Sequence, residues 1–182
     1  MSPTPGSRAA MRAKLRSGPV GRRVAAADLR LYHLIRRDLH VEALVEPVRR
    51  FSATGEHAMV WLAIGAAGIA LDRRRRGPWT RATAAVVTTY LANIAIKAAI
   101  GRQRPAVADL PHLMATPTGL SFPSAHASSS FAAAAAFSGL LPTPPLYAGA
   151  TAMALSRVYL GVHYPSDIAA GAVLGTAIAR VA

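Results

Sequence analysis

The sequence predicts an all-α protein, a polytopic membrane helix bundle with about five spans preceded by an N-terminal amphipathic helix. Two observations favour this fold class. Charged residues crowd into residues 8–50, 72–81 and 97–109. Apolar segments lie between and after these stretches, at residues 58–71, 82–96, 127–141, 145–155 and 168–179. Each segment is shorter than the ~20 residues of a typical span, so each must extend by about a turn into its flanks.

A soluble bundle of tightly packed, Ala-rich helices is the alternative fold. Helices of such a bundle carry a polar face toward water. Residues 127–155 offer only Ser, Thr and Tyr for such a face, which favours the membrane.

The chain of 182 residues suits one domain. Because it has no cysteine, a disulfide framework and a thiolate site are both excluded.

The formal net charge of +13 is the kind of excess that nucleic-acid-binding proteins carry. Here most of the excess lies in the N-terminal half, beside apolar segments. Attraction to anionic lipid headgroups, together with the positive-inside bias of membrane proteins, explains it more simply. We therefore expect a membrane as partner and no nucleic acid.

The N-terminal quarter divides into two parts. Residues 1–23 are rich in Pro, Gly, Ser and Arg, which predicts a disordered basic tail. Residues 24–50 carry a loose apolar stripe with charges on the other faces, which predicts an amphipathic helix that cannot span. We expect this helix to lie at the membrane interface; the alternative is a helix docked on the bundle, and the two are compatible. Residues 24–182 then form one membrane-embedded domain, with residues 57–182 as its catalytic bundle.

The stretch 72–79, DRRRRGPW, predicts a tight loop between the first two spans. Four consecutive arginines beside a span indicate a cytoplasmic loop. The second span then runs outward, so three polar clusters, at residues 97–104, 122–126 and 157–167, are expected near the outer face. Three polar clusters at one membrane depth predict a functional site.

The first cluster is KAAIGRQRP, residues 97–105. Lys97 and Arg104 are seven residues apart, about two turns, so on a continuing helix they would share a face until Pro105 stops it. Two cations directed at one place suit an anion with several oxygens. Taken alone, Lys97 is also explained as a lysine whose ammonium reaches up to the interface at the end of a span.

The second cluster is SFPSAHASSS, residues 121–130. Pro123, Ser124 and Ala125 predict the start of a helix. Free backbone N–H groups at that point, the positive end of the helix dipole and the Ser124 hydroxyl would together bind an anion. His126 stands beside them, although a single histidine at a helix start is more often structural than catalytic.

The third cluster is SRVYLGVHYPSD, residues 156–167. Pro165 suits the first turn of a helix, and Asp167 would lie in that turn, four residues after His163. Its carboxylate could accept the Nδ1–H of His163 and leave Nε2 free as a nucleophile or base. The alternative is a capping aspartate beside a histidine with no chemical role. Arg157 adds a third cation.

Three cations, a helix N-terminus and two histidines together predict a phosphate site. One histidine would attack phosphorus while the other protonates the leaving oxygen. Because the clusters offer no second acid and no cysteine, we expect no metal and no cofactor.

In order and spacing, the clusters resemble the signature of the type 2 phosphatidic acid phosphatase family, also called the lipid phosphate phosphatase or vanadium-haloperoxidase-like superfamily. That signature reads K-x6-RP, then PSGH, then SR-x5-H-x3-D. The matching residues here are Lys97, Arg104 and Pro105, then Pro123, Ser124, Ala125 and His126, then Ser156, Arg157, His163 and Asp167. Ala125 departs from the usual glycine, and its backbone N–H remains available if its φ stays in an allowed region.

The resemblance implies roles for these residues. His163 would attack phosphorus to give a phosphohistidine, Asp167 would orient it, and His126 would protonate the leaving alcohol. The phosphoryl oxygens would be held by Lys97, Arg104, Ser124, the Ala125 N–H and Arg157. No metal is required. Family members usually have six spans, and here the helix at 24–50 stands in place of the first.

The function expected from the resemblance is hydrolysis of a lipid-linked phosphate monoester by a multi-pass protein of the cell membrane. A polyprenyl-phosphoryl sugar phosphate is the first choice of substrate; a polyprenyl phosphate or diphosphate, phosphatidate and phosphatidylglycerophosphate are the alternatives. A vanadate-dependent haloperoxidase shares such a site but is typically larger and soluble. A catalytically silent protein would lack a histidine or Asp167, and both histidines and Asp167 are present.

Overall fold

The computed structural model describes residues 18–182, and in this range the chain is helical and contains no strand. The α-helices are α1 Pro19–His33, α2 Glu42–Thr54, α3 Met59–Leu71, α4 Arg76–Ile100, α5 Ala125–Phe137, α6 Thr143–Tyr159 and α7 Pro165–Val181. A π-helical turn, Leu34–Asp38, continues α1, and 3₁₀ turns precede α3 (Glu56–Ala58) and α4 (Arg73–Arg75). The all-α prediction is confirmed.

Helix α5 lies at the centre of the bundle and contacts α4, α6 and α7. Its fully buried residues include Phe137 and the alanines Ala127, Ala132, Ala133 and Ala134. Helix α7 approaches α5 so closely that a Cβ added at Gly171 would lie 2.6 Å from the Ser124 carbonyl oxygen, and one added at Gly175 would lie 2.0 Å from that of Ser128. Small residues therefore let two backbones touch, as they do between helices in membranes.

The number of spans differs from the sequence-based expectation. Among the described residues, the stretch Arg73–Ile100, which contains α4, is long and apolar enough to cross a membrane, with 28 residues and a mean hydropathy of 1.4. The pair Glu42–Thr54 and Glu56–Leu71, bent by 50°, would make a second candidate if it forms one broken span. Helix α5 has 13 residues and is about 20 Å long, which is less than a bilayer core. The predicted five spans are therefore not confirmed.

The predicted N-terminal boundaries also change. The helix expected at 24–50 begins earlier, at Pro19, so the last residues of the expected tail are helical. It is also interrupted, because Val41 adopts an extended conformation before α2 begins. Residues 1–17, the rest of the expected tail, lie outside the described residues.

One face of the first helix packs on the bundle. Asp28, Tyr32 and Arg36 recur at four-residue intervals and are buried, at 3%, 0% and 5% exposure, whereas most of their neighbours are exposed. Helix α1 contacts α7 through this face. The structure therefore shows this segment docked on the bundle, which is compatible with a position at the membrane interface.

Candidate active site

The three polar clusters meet at one cavity of about 250 Å³. The predicted site residues that line it are Lys97, Arg104, Ala125, His126, Arg157 and His163. Two other predicted residues lie just behind this lining. Asp167 contacts the His163 ring from behind, and Ser124 caps α5.

His163 lies in the loop between α6 and α7 and is 2% exposed. Its Nδ1 is 3.4 Å from Asp167 Oδ2, and its Nε2 is 3.2 Å from Arg104 Nη1. A guanidinium can only donate, so Nε2 accepts and the hydrogen of the neutral ring is on Nδ1, facing the carboxylate. This tautomer leaves the Nε2 lone pair on the cavity side, beside Arg104.

Burial lowers the pKa of His163 to about 3, although the hydrogen bond and charge of Asp167 act in the opposite direction. The cations Arg104 and Lys97 lower the pKa further. A neutral imidazole therefore prevails at neutral pH, which is the protonation state that can attack phosphorus.

The Asp167 carboxylate is fully buried, and both of its oxygens accept hydrogen bonds. Oδ2 accepts from the Tyr164 backbone N–H at 2.8 Å and from the Ser121 hydroxyl, and Oδ1 accepts from Arg102 Nη1 at 2.9 Å. As an N-terminal residue of α7, Asp167 also closes a capping box with Tyr164. These contacts fix the carboxylate on which the His163 ring depends.

Arg104 reaches the cavity by a different route from the one predicted. Helix α4 ends at Ile100, because Gly101 takes a left-handed conformation with φ 64°. Arg104 follows in an irregular segment, donating through Nε to the Thr118 carbonyl at 2.8 Å and through Nη1 to that of Val162 at 2.7 Å. The prediction that Lys97 and Arg104 share one helix face is therefore wrong.

The other two cations approach the cavity from helix ends. Lys97 Nζ donates to the carbonyls of Leu120 and Ser121, both at 3.3 Å. Arg157 is 1% exposed and donates through Nη1 to Ser52 Oγ at 2.7 Å. Its buried Nε has no partner in the part of the chain that the structure describes. A buried guanidinium with an unused N–H is suited to hold an anion.

Ser124 and Ala125 form the predicted helix start. The Ser124 hydroxyl oxygen accepts from the Ala127 backbone N–H at 3.4 Å, so its own hydrogen remains free to donate. Its backbone N–H donates to the Asp167 carbonyl at 3.0 Å, which joins the starts of α5 and α7. Ala125 is not among the residues with positive φ, so alanine fits where the resembling family usually has glycine.

His126 is 5% exposed and lines the same cavity as His163. Its Nε2 donates to the Ser52 carbonyl at 3.1 Å and is 3.8 Å from Glu56 Oε2. Its Nδ1 makes no hydrogen bond within residues 18–182. In that same range, no group of three or more metal-ligating side chains is placed to hold a metal ion.

Sequence reasoning missed the support behind Asp167. Arg102 joins two carboxylates, donating to Asp167 Oδ1 at 2.9 Å and to Asp28 Oδ2 at 2.7 Å. Asp28 belongs to α1 and also accepts from the Ser166 hydroxyl at 2.6 Å. Arg102 stands inside the first polar cluster and could have been noticed there. Asp28 lies 74 positions away on a charged helix, and no local pattern marks it.

The α1 helix also reaches the loop that carries His163. The Tyr32 hydroxyl donates to the Gly161 carbonyl at 3.2 Å, and Arg36 Nη2 donates to the Pro111 carbonyl at 2.5 Å. With Asp28, these residues complete the buried face of α1. The face therefore supports the loop that carries His163 from behind.

The chain is similar to known proteins in sequence and in structure. Residues 78–182 match the PAP2 superfamily. The chain is 40% identical over 139 residues to decaprenylphosphoryl-5-phosphoribose phosphatase from Mycobacterium tuberculosis, a match that spans 76% of this chain and 78% of the relative. The protein of the same name from Mycolicibacterium smegmatis is 39% identical over 123 residues, or 68% of each chain.

Two solved structures share the fold. LpxE from Aquifex aeolicus superposes with a TM-score of 0.72 at 23% identity, over 84% of this chain and 92% of that one. The transmembrane PAP2-type phosphatidylglycerolphosphate phosphatase from Bacillus subtilis gives a TM-score of 0.73 at 22% identity, over 94% of this chain and 88% of that one.

Proposed function

The chain belongs to the PAP2 superfamily, and we propose that it hydrolyses a lipid-linked phosphate monoester in the membrane through a phosphohistidine intermediate. One observation carries the mechanism. His163 presents Nε2 to the cavity beside the Arg104 guanidinium, while Asp167 holds the opposite ring nitrogen.

In the first half of the proposed reaction, the cations and the α5 N-terminus hold the phosphoryl oxygens. The lone pair of His163 Nε2 forms the N–P bond as the bond from phosphorus to the leaving oxygen breaks. His126 gives a proton to that oxygen, so the alcohol departs neutral. His126 enters this step as the imidazolium: its Nε2–H donates to the Ser52 carbonyl, and the second proton, on Nδ1, is the one that it delivers.

In the second half, water attacks the phosphohistidine and His126 accepts its proton. The N–P bond breaks, inorganic phosphate leaves, and His163 returns to its neutral tautomer. The Asp167 carboxylate stabilises the positive charge that the His163 ring carries while phosphorylated. Every proton and electron pair is accounted for by groups of this chain, the substrate and water.

We further propose that the substrate is a polyprenylphosphoryl ribose 5-phosphate. Support comes from the two mycobacterial relatives, which carry that substrate in their name and match most of this chain. Phosphatidate, phosphatidylglycerophosphate and a polyprenyl diphosphate are the competing classes. The oxygen that leaves from the proposed substrate is the ribose 5-oxygen.

Phosphate release from a panel of lipids tests this proposal. The purified protein in detergent should release phosphate from polyprenylphosphoryl ribose 5-phosphate with a kcat/KM about tenfold or more above that for phosphatidate. His163→Ala should abolish release, and His33→Ala, outside the cavity, should not. No release from any lipid, or release that persists in His163→Ala, would overturn the proposal. Bromide oxidation with added vanadate would point to the haloperoxidase alternative instead.

We propose a multi-pass arrangement in the cell membrane, with the arginine turn inside and the cavity open outside. The chain contains no cysteine, so single cysteines report topology cleanly. A thiol reagent that cannot cross the membrane should label Ala115→Cys, in the exposed loop beside the cavity, in intact cells. Gly77→Cys should be labelled only after permeabilisation, and the reverse pattern would place the cavity on the cytoplasmic side.

A further inference from the structure

One acidic side chain lines the cavity but has no part in the proposed mechanism. Glu56 is 26% exposed, and its Oε2 is 3.8 Å from Nε2 of His126. Within residues 18–182, no group donates a hydrogen bond to its carboxylate. A carboxylate offers about four acceptor positions, so Glu56 brings an unused set of acceptors to the cavity.

The backbone holds Glu56 in this place at the cost of an unusual conformation. His57 and Ala58, which follow it, have φ values of 50° and 61°, a region that residues other than glycine rarely adopt. Gly55 precedes it, and a Cβ there would lie 2.8 Å from Cδ2 of His126. The turn at residues 55–58 is therefore pressed against His126, and strained backbone of this kind concentrates at ligand sites.

The position beside His126 determines which part of the substrate meets Glu56. His126 protonates the leaving oxygen through Nδ1, while Glu56 lies near its other ring nitrogen and lines the same cavity. In the proposed mechanism the leaving alcohol extends along the cavity wall from His126 toward Glu56, while the phosphoryl group lies among the cations. A carboxylate repels other anions and the lone pairs of ester carbonyls, but accepts hydrogen bonds from hydroxyl groups. Glu56 is the one acidic residue among the described residues that line the cavity, which it shares with the cations Lys97, Arg104 and Arg157.

A second pair of side chains lines the cavity beside Glu56. The Tyr90 hydroxyl and Nδ1 of His57 are 2.6 Å apart, and both residues line the cavity. Each ring fixes the other, with an interplanar angle of 79°. A fixed phenol ring and an adjacent carboxylate suit a compact, hydroxyl-bearing group better than an acyl chain.

We propose that Glu56, with Tyr90 and His57, forms a subsite that binds the hydroxyl groups of the leaving alcohol. The subsite selects a sugar-like polyol over a diacylglycerol. This inference rests on the proposed function, because it assigns the leaving group of the same reaction. Glu56 thereby becomes the residue that distinguishes the proposed substrate from phosphatidate.

Kinetics on matched substrates test the subsite, using the full-length protein in detergent. The substrates are polyprenylphosphoryl ribose 5-phosphate, its 2,3-di-O-methyl derivative and phosphatidate. Glu56→Ala should lower kcat/KM on the hydroxylated substrate by about tenfold or more, with Glu56→Gln losing less because its amide oxygen still accepts. Both variants should stay within about threefold of the parent on the other two substrates, which also demonstrates that they are folded. Glu42→Gln, on an exposed part of α2, is the matched control and should change nothing.

Equal losses on all three substrates would overturn the subsite, since Glu56 would then act only through His126 or through folding. Unchanged kinetics on the hydroxylated substrate would overturn it as well. These outcomes differ from a failure of the proposed function. If the proposed function fails, either the parent protein itself releases no phosphate or His163→Ala still releases it.

Discussion

The two ends of the cavity differ in how completely their side chains are bonded. At the nucleophile end, the Asp167 carboxylate accepts from Arg102, Ser121, Tyr164 and His163 and is fully buried. At the leaving-group end, Glu56 lacks a donor among the described residues and is 26% exposed. A nucleophile must take the same position for every substrate, so its support is built into the fold. At the other end, in our proposal, the substrate supplies the hydrogen-bond donors that Glu56 lacks.

The largest effect should come from removing the nucleophile. His163→Ala should abolish turnover while orthovanadate or phosphate still binds, because the cations and the α5 N-terminus remain. Phosphate release and calorimetric binding of orthovanadate measure the two properties. If turnover remained within about tenfold of the parent, the fully bonded end would not carry the nucleophile.

A smaller and selective effect should follow at the other end. His126→Ala should reduce turnover of an alkyl phosphate by about a hundredfold or more and that of 4-nitrophenyl phosphate far less, because a good leaving group needs little protonation. Steady-state kinetics on the two substrates provide the comparison. Equal losses on both would remove His126 from the role of general acid.

The support behind Asp167 should contribute less again. Arg102→Met should lower kcat by about tenfold to a hundredfold with little change in KM, because the carboxylate loses a partner that orients it. Asp28→Asn should lose less, since Arg102 would keep its bond to Asp167. Arg180→Met, at the exposed end of α7, is the control. If KM instead rose by the same factor and kcat stayed unchanged, Arg102 would act on substrate binding rather than on His163.

The smallest effect should appear in the pH dependence of thermal stability. The pKa of His163 lies at about 3 in the folded chain, because burial disfavours its charged form, and near its ordinary value of ~6.5 in the unfolded chain. Between these values the unfolded chain binds more protons, so this imidazole's contribution to stability is full above pH ~6.5 and is lost as pH falls toward 3. The melting temperature of His163→Gln should therefore fall less steeply with acidification than that of the parent. If the melting temperatures of the parent and of His163→Gln fell equally steeply with decreasing pH, the imidazole of His163 would not be neutral and buried.

The sequence was informative where chemistry depends on short spacing. The three polar clusters indicated the residues that line the cavity, because two helix starts and a four-residue interval define their geometry. The sequence was misleading about Arg104, whose position depends on the left-handed Gly101. No local pattern in the first helix marked Asp28 as buried. Contacts between residues 28 and 166 depend on tertiary packing, which no local pattern records.

The span count illustrates a different limit. Apolar composition alone suggested five segments of similar kind, yet α5 is short and much of it is covered by α4, α6 and α7. Its alanines serve close helix packing as well as lipid compatibility. Composition cannot separate these two uses, because both require small apolar residues.

The backbone contact between α5 and α7 has a consequence for motion. With the carbonyls of Ser124 and Ser128 against Gly171 and Gly175, the two helices cannot slide or rotate past each other without a steric clash. Any opening motion of the bundle that admits a lipid headgroup and releases inorganic phosphate must then occur elsewhere. We expect microsecond-to-millisecond exchange in segments that line the cavity outside the α5–α7 seam, including the turn at residues 55–58, and none in the seam itself.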